Sequence, residues 1–153
     1  MPSPPPLPDP GTLKAKLANT LIGVHTQLYR VSGGRLGRKL QGVPILLLDH
    51  VGRKSGKRRT TPLMYLDDGE DVVIVGSRGG SDHTPAWWLN LRDAGEGEVQ
   101  VGGERRRVRP RLAEGEERAR LWPRLVALYP NYDLYRTRTE REIPVIVLEP
   151  TAR

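Results

Sequence analysis

The chain has 153 residues, no cysteine, and 25 Lys plus Arg against 18 Asp plus Glu, for a formal net charge of +7. That length suits one domain with a core of ordinary size. The missing cysteines exclude a disulfide framework, a thiolate zinc site and a cysteine nucleophile, and fit a cytoplasmic setting, while the positive charge calls for an anionic partner: a cofactor, a nucleic acid or a membrane surface.

Six of the first ten residues are proline, so residues 1–10 read as a disordered or extended tail. They lack the charged start and apolar stretch of a secretory signal. Thr12 is a candidate N-cap. Leu13, Leu17, Leu21, Val24, Leu28 and Val31 recur at helical spacing, which predicts a helix to about Val31, ended by Ser32-Gly33-Gly34. Between Asp9 and Asp49 no acidic residue occurs, while Lys14, Lys16, Arg30, Arg35, Arg38 and Lys39 are basic. Residues 11–35 therefore form an amphipathic helix and loop with two readings. The helix packs over one end of the domain with a solvated basic face, or it lies peripherally on an anionic membrane. No apolar run approaches the ~20 residues that crossing a bilayer takes.

Residues 36–153 read as the domain proper. Ile45 to Val51 is a mostly buried strand with Pro44 just before it. Lys57 to Leu66 is a second strand, with Pro62 marking an edge or bulge. Asp67-Asp68-Gly69-Glu70 is a turn into a third strand, Asp71 to Ser77. A glycine-rich loop follows, then a short helix opened by Pro85 at its first position with Thr84 as cap. Val99 to Val101 and Glu104 to Leu112 form a hairpin around Gly102-Gly103. Glu114 to about Tyr129 is a helix that Pro123 should start, kink or split. Asn131 caps a short helix bearing Tyr132 and Tyr135, and Ile143 to Leu148 is the last strand. The pattern is α+β, mostly antiparallel, with about six strands.

The turn after Val51 is the most informative stretch. From Arg53 to Arg59 five of seven residues are basic, and the other two are Ser55 and Gly56. Gly52 and Gly56 bracket a turn that gathers cations, a hydroxyl and backbone amides, which suits an anion with several oxygens. It is one residue short of a P-loop and lacks its Ser or Thr. A solvated basic hairpin tip and a nucleic-acid patch are the other readings. Arg105, Arg107, Arg109 and Arg111 alternate along one strand face and fit the nucleic-acid reading, although no aromatic interleaves with them. No nucleophile elbow, metal-ligand spacing or dinucleotide fingerprint is present. His25, His50 and His83 are far apart, and no metal is expected. An enzyme so short of reactive groups borrows a cofactor.

Gly52-Arg53-Lys54-Ser55-Gly56-x-x-Arg59-x-x-Pro62-Leu63 resembles the signature of the deazaflavin-dependent nitroreductase family. So do Ser77-Arg78-Gly79-Gly80 with Pro85 to Leu91, and Tyr129-Pro130-x-Tyr132-x-x-Tyr135 with the final strand. The three blocks fall in order over residues 40 to 150. The resemblance implies a small antiparallel split β-barrel with helices packed outside it. It also implies coenzyme F420, a deazaflavin with a phosphodiester and a glutamate tail. By position, Arg53, Lys54, Ser55 and Arg59 match phosphate and tail contacts. Thr60, Thr61, Pro62, Leu63 and Met64 follow into the ring pocket. Val75, Gly76, Ser77 and Arg78 match a second loop, and Ala86, Trp87, Trp88, Leu89 and Asn90 a helix wall; Tyr132 is a late contact. Ser77, Tyr129, Tyr132 and Tyr135 are the candidate catalytic hydroxyls.

The implied activity is hydride transfer from the reduced deazaflavin to a small organic acceptor: a quinone, nitro compound or activated alkene. Met64 stands where the best-known nitroreductase member has a tyrosine and Trp88 where a tyrosine is usual, so nitroimidazole activation is not carried over. A flavin mononucleotide-dependent split-barrel reductase and a non-catalytic nucleic-acid module are the alternatives. The expected partner is a small electron acceptor, with no nucleic acid. The chain is a monomer or a homodimer.

Overall fold

The computed structural model describes residues 4–9, 11–40 and 42–151. Residues 1–3 and 10 of the predicted tail lie outside them. Residues 4–9 have no regular secondary structure, and the Pro4 carbonyl accepts a hydrogen bond from Arg138 Nη2 at 2.8 Å.

Helix α1 spans Leu13–Ser32. Thr12 caps it as predicted, its Oγ1 accepting from the Ala15 amide at 3.2 Å, and Gly33 ends it in the left-handed region that glycine enters without strain. Its packing differs from the expectation of a helix laid over the barrel. Only Thr26 and Tyr29 are buried. Leu13, Leu17, Leu21, Val24, Leu28 and Val31 are all exposed, Val31 by 84%. The anchors sit on the opposite face and near the C-terminal end. Tyr29 packs against Ile45 and Leu47, and its hydroxyl accepts from the Gly102 amide at 2.7 Å. Arg30 donates to Asp49 Oδ1 at 2.7 Å and to Gln100 Oε1 at 3.2 Å. Gly34 follows closely; a Cβ there would meet Gly102 Cα at 2.5 Å.

Among the described residues eight strands form one antiparallel sheet: β1 Lys39–Leu40, β2 Val43–Val51, β3 Arg58–Met64, β4 Leu66–Asp68, β5 Asp71–Val75, β6 Gly97–Val101, β7 Glu104–Leu112 and β8 Val145–Pro150. Two more strands appear than expected. β1 is a two-residue pairing on Val43 and Pro44, and the predicted strand to Leu66 breaks at Tyr65 into β3 and β4. The Tyr65 amide still donates in register to the Pro44 carbonyl, at 3.2 Å, but Pro44 has no N–H to return the bond, and the ladder ends there. β8 starts two residues later than expected, since Pro144 has no N–H for a ladder.

The order along the sheet is β3-β2-β6-β7-β8-β5-β4, with β1 added to β2. Its two ends, β3 and β4, are consecutive in the chain and joined by Tyr65 alone, so the sheet curls back on itself. Pro62 stands in β3, at that end, as predicted for an edge.

Helices α2 (Ala86–Ala94), α3 (Gly115–Leu128) and α4 (Asn131–Thr137) pack on the curled sheet. α2 starts one residue after Pro85, and no side chain caps it, so Thr84 is not the cap. α3 runs through Pro123 without a break, and the proline is exposed. Asn131 is the first helical residue of α4 rather than its cap, a place taken by Pro130. The core has two main clusters. One lies between Trp87, Trp88 and Leu91 of α2 and the sheet residues Leu46, Leu48, Ile74, Ile146 and Leu148. The other sets Leu121, Trp122, Leu125, Tyr129, Tyr132 and Tyr135 against Val73, Val145 and Val147.

Candidate active site

A cleft of about 1110 Å³ opens where β3, the turn after β2, the N-terminal end of α2 and α4 meet. It gathers most of the residues singled out above. Arg53, Lys54, Ser55, Arg59, Thr60, Thr61, Pro62, Leu63, Met64, Val75, Ser77, Arg78, Ala86, Trp87, Asn90, Tyr129, Tyr132 and Tyr135 line it. Gly76, Trp88 and Leu89 do not. Trp88, about 100° around α2 from Trp87, shares its core cluster but does not reach the cleft. Gly76 faces Pro144, where a Cβ would come within 2.7 Å of Cγ.

The basic turn is tighter than the sequence implies. The Gly52 amide donates to the Lys57 carbonyl, and the Gly56 amide to that of Gly52, each at 2.8 Å. The Lys57 amide donates to Ser55 Oγ, and the Arg53 amide to Asn90 Oδ1. Most amides of the turn are therefore spent on protein acceptors rather than left for an anion. The cations divide as well. Arg58 leaves the cleft for Asp49 Oδ2 at 3.0 Å. Arg53 Nη1 donates to Asn90 Oδ1 at 3.1 Å. Lys54 and Arg59 are exposed and make no ion pair among the described residues.

Asp49 is the node behind this wall. Its carboxylate, 4% exposed, takes Arg30, Arg58 and Arg105, together with the Thr60 hydroxyl. Burial pushes this carboxyl up, but the Thr60 hydroxyl, Arg58 and Arg30 together outweigh it, and the pKa falls below the ordinary aspartate value. Arg105 also pairs with Glu98, and Arg111 with Glu117 and Glu149. The alternating arginines expected for a nucleic-acid face are thus partly consumed by carboxylates.

The second loop is strained. Arg78 has φ 44°, the left-handed region that L-residues with a Cβ rarely enter, and Gly79 and Gly80 follow at 63° and 82°. A Cβ on Gly80 would lie 2.8 Å from the Tyr135 carbonyl, so glycine lets the loop touch α4. Arg141 holds the loop from behind, donating to the carbonyls of Gly76, Ser77 and Ser81. On the wall formed by α3 and α4, the Tyr129 and Tyr135 hydroxyls lie 3.0 Å apart. Burial, reinforced by the neighbouring tyrosines, holds the Tyr132 phenol well above its ordinary value; burial and then the Tyr129 hydroxyl do the same to Tyr135. Both remain O–H groups at neutral pH, fit to donate hydrogen bonds.

Sequence reasoning missed Leu7, Leu21, Ile22, Leu40 and His50, which also line the cleft. His50 carried a signal, being a histidine that, with Asp49, interrupts an otherwise apolar strand. Leu7 carried none, since only the fold brings residues 4–9 beside Gly79.

A curled antiparallel sheet with one such cleft, cationic at its turn and aromatic on its helical wall, is the framework of the split-barrel reductases. A solved F420-H2 dependent reductase shares it, with a TM-score of 0.64 and 38% identity over 69% of this chain and 94% of its own. A solved structure described as a domain-swapped dimer aligns over 88% of this chain and 99% of its own, with a TM-score of 0.68 and 32% identity. The profile of the F420H(2)-dependent quinone reductases matches residues 21–150. An F420H(2)-dependent quinone reductase of Mycobacterium tuberculosis is 39% identical over 132 residues, 84% of this chain and 89% of its own. Another M. tuberculosis relative is 46% identical over 108 residues, 71% of this chain and 91% of its own. The chain belongs to the F420H(2)-dependent quinone reductase family, and is an oxidoreductase that uses coenzyme F420.

Proposed function

We propose that this cleft holds the deazaflavin with Lys54, Arg59 and Arg53 toward its phosphodiester and glutamate tail, and that the acceptor is a quinone. The observation that carries the reading is the division of the basic turn. Arg58 is drawn out of the cleft to Asp49 and Glu98, while Lys54 and Arg59 stay exposed at the mouth of the cleft. Such cations match a cofactor with several separated negative charges better than a single phosphate does. When bound in its reduced form, the cofactor supplies a hydride. The residues of the chain then orient, shield and supply hydrogen bonds. Trp87, Pro85 and Ala86 offer a flat apolar wall, and Leu21, Ile22, Leu40 and Met64 an apolar path suited to a quinone. We assign the donation to a reduced oxygen to Ser77, Tyr132 and whichever of Tyr129 and Tyr135 accepts in the hydrogen bond they share. Titration with oxidised deazaflavin is expected to quench tryptophan emission saturably and to weaken with added salt, with flavin mononucleotide binding less tightly. Tighter binding of flavin mononucleotide overturns the cofactor reading.

A second reading concerns α1. Its apolar stripe is exposed along its length, with Leu21 reaching the cleft, and Lys14 and Lys16 lie to either side of that stripe at 100° per residue. Lysines there extend their ammonium groups toward lipid phosphates while the leucines enter the acyl boundary. No helix among the described residues is long and apolar enough to cross a membrane. We therefore propose that the stripe rests on an anionic lipid surface, beside the cleft that Leu21 and Ile22 also line. Co-sedimentation with phosphatidylglycerol vesicles is expected for the wild type and lost in Leu17→Asp/Leu28→Asp. A wild type that ignores vesicles but forms a dimer, broken by the same pair of substitutions, overturns the proposal in favour of a second copy.

A further inference from the structure

Thr60 and Thr61 are neighbours on β3, and both line the cleft. Their hydroxyls have opposite polarity. Thr60 donates its hydroxyl hydrogen to Asp49 Oδ1, and accepts from Arg30 Nη2 at 3.2 Å. The state of Thr61 follows from three linked groups. Asn90 Oδ1 accepts from the Arg53 backbone amide, a donor in every state, at 3.1 Å, and from Arg53 Nη1 at the same distance. This fixes which way the Asn90 amide is turned. Its Nδ2 then faces His50 Nδ1 at 3.2 Å and must donate to it. A ring nitrogen that accepts carries no hydrogen, so the His50 proton sits on Nε2. That nitrogen lies 2.9 Å from Thr61 Oγ1, which accepts from it. The Thr61 hydroxyl hydrogen is left for a third partner.

We propose that His50 is a positioning residue: a neutral, Nε2-protonated imidazole, oriented by Asn90 and Arg53, that makes Thr61 an outward hydrogen-bond donor to an acceptor atom of the deazaflavin. The inference rests on the cofactor reading given above. His50 lines the cleft and is 5% exposed, and a histidine there invites assignment as the proton donor. The network assigns it otherwise. A second proton would sit on Nδ1 and meet the hydrogens of the Asn90 amide. Burial, then the Arg59 guanidinium, lower its pKa, with Asp49 opposing them.

The test uses the full chain in two arms. Long-range nitrogen–proton NMR of the apoprotein at neutral pH, with His50 assigned by its absence in His50→Gln, is expected to show a protonated Nε2 and a bare Nδ1. In titrations with oxidised deazaflavin, Thr61→Val is expected to lose about tenfold in affinity, the scale of one neutral hydrogen bond, while Thr61→Ser retains it. His50→Leu is expected to lose a similar factor, and His50→Leu/Thr61→Val no more than Thr61→Val alone. A protonated Nδ1, an unimpaired Thr61→Val, or additive losses in the double variant would overturn the inference. If the wild type fails to bind deazaflavin, the cofactor reading falls; wild-type binding with Thr61→Val unimpaired sinks the role of His50 alone.

Discussion

Alanine at both Lys54 and Arg59 is expected to weaken the binding of oxidised deazaflavin by at least about 100-fold, because each charge-assisted contact contributes ~1.5–3 kcal/mol. Neither side chain holds the fold together. Both are exposed, and neither makes an ion pair among the described residues. Stability should therefore change by no more than the ~0.5 kcal/mol usual for surface substitutions, and the melting temperature by about one or two degrees. The residual affinity should also depend less steeply on salt, since two of the screened charges are gone. Titration by tryptophan quenching at two ionic strengths, alongside thermal melts, measures all three effects. Unchanged affinity in the double variant would return the basic turn to a solvated hairpin tip.

Asp49→Ala is expected to do the reverse, costing stability rather than direct cofactor contacts. The carboxylate is 4% exposed, and its removal strands Arg30, itself only 25% exposed, without its anion. Removing one partner of a buried pair costs ~3–5 kcal/mol. Arg58 and Arg105, 61% and 46% exposed, recover much of their loss from water. For a domain of this size the change lowers the melting temperature by about 10 °C. The pH dependence has a defined sign. The folded pKa of Asp49 lies below its unfolded value, so its contribution is present above an unfolded pKa of about 3.9 and lost as pH falls through the folded one. Asp68, drawn down to about 2 by Arg120 and Arg124, adds to the same acid window. Wild type should thus lose stability between about pH 4 and 2 more steeply than Asp49→Ala does. Melts across that range decide it, and equal slopes would remove Asp49 from the account.

Much of this was legible in the chain, for reasons that differ by element. The Gly102-Gly103 hairpin and the apolar strands were readable because turn chemistry and period-two patterning are local. The basic turn was readable as a cluster, but not how its cations divide. Asp49 claims Arg58 from nine positions away and Arg105 from 56, and nothing in either neighbourhood announces it. The apolar stripe of α1 was visible, yet its direction was not. Periodicity reports that a helix has two faces; Tyr29 and Arg30, from the polar flank, decide which one meets the protein. His50 escaped notice because a lone histidine in a buried strand looks like packing until Asn90, 40 residues on, is placed beside it.

The seam at Tyr65 bears on how the protein behaves when concentrated. Open sheets invite other chains to pair along an unguarded edge, and fibrils grow that way. Here one terminal strand, β4, is three residues long, and the other, β3, carries Pro62 and lies beside α1. Neither offers a long template for a foreign strand. What the molecule does expose is a row of leucines on a helix. Crowded molecules should therefore stick reversibly through that row, in clusters that mild detergent disperses, rather than convert into cross-β aggregates.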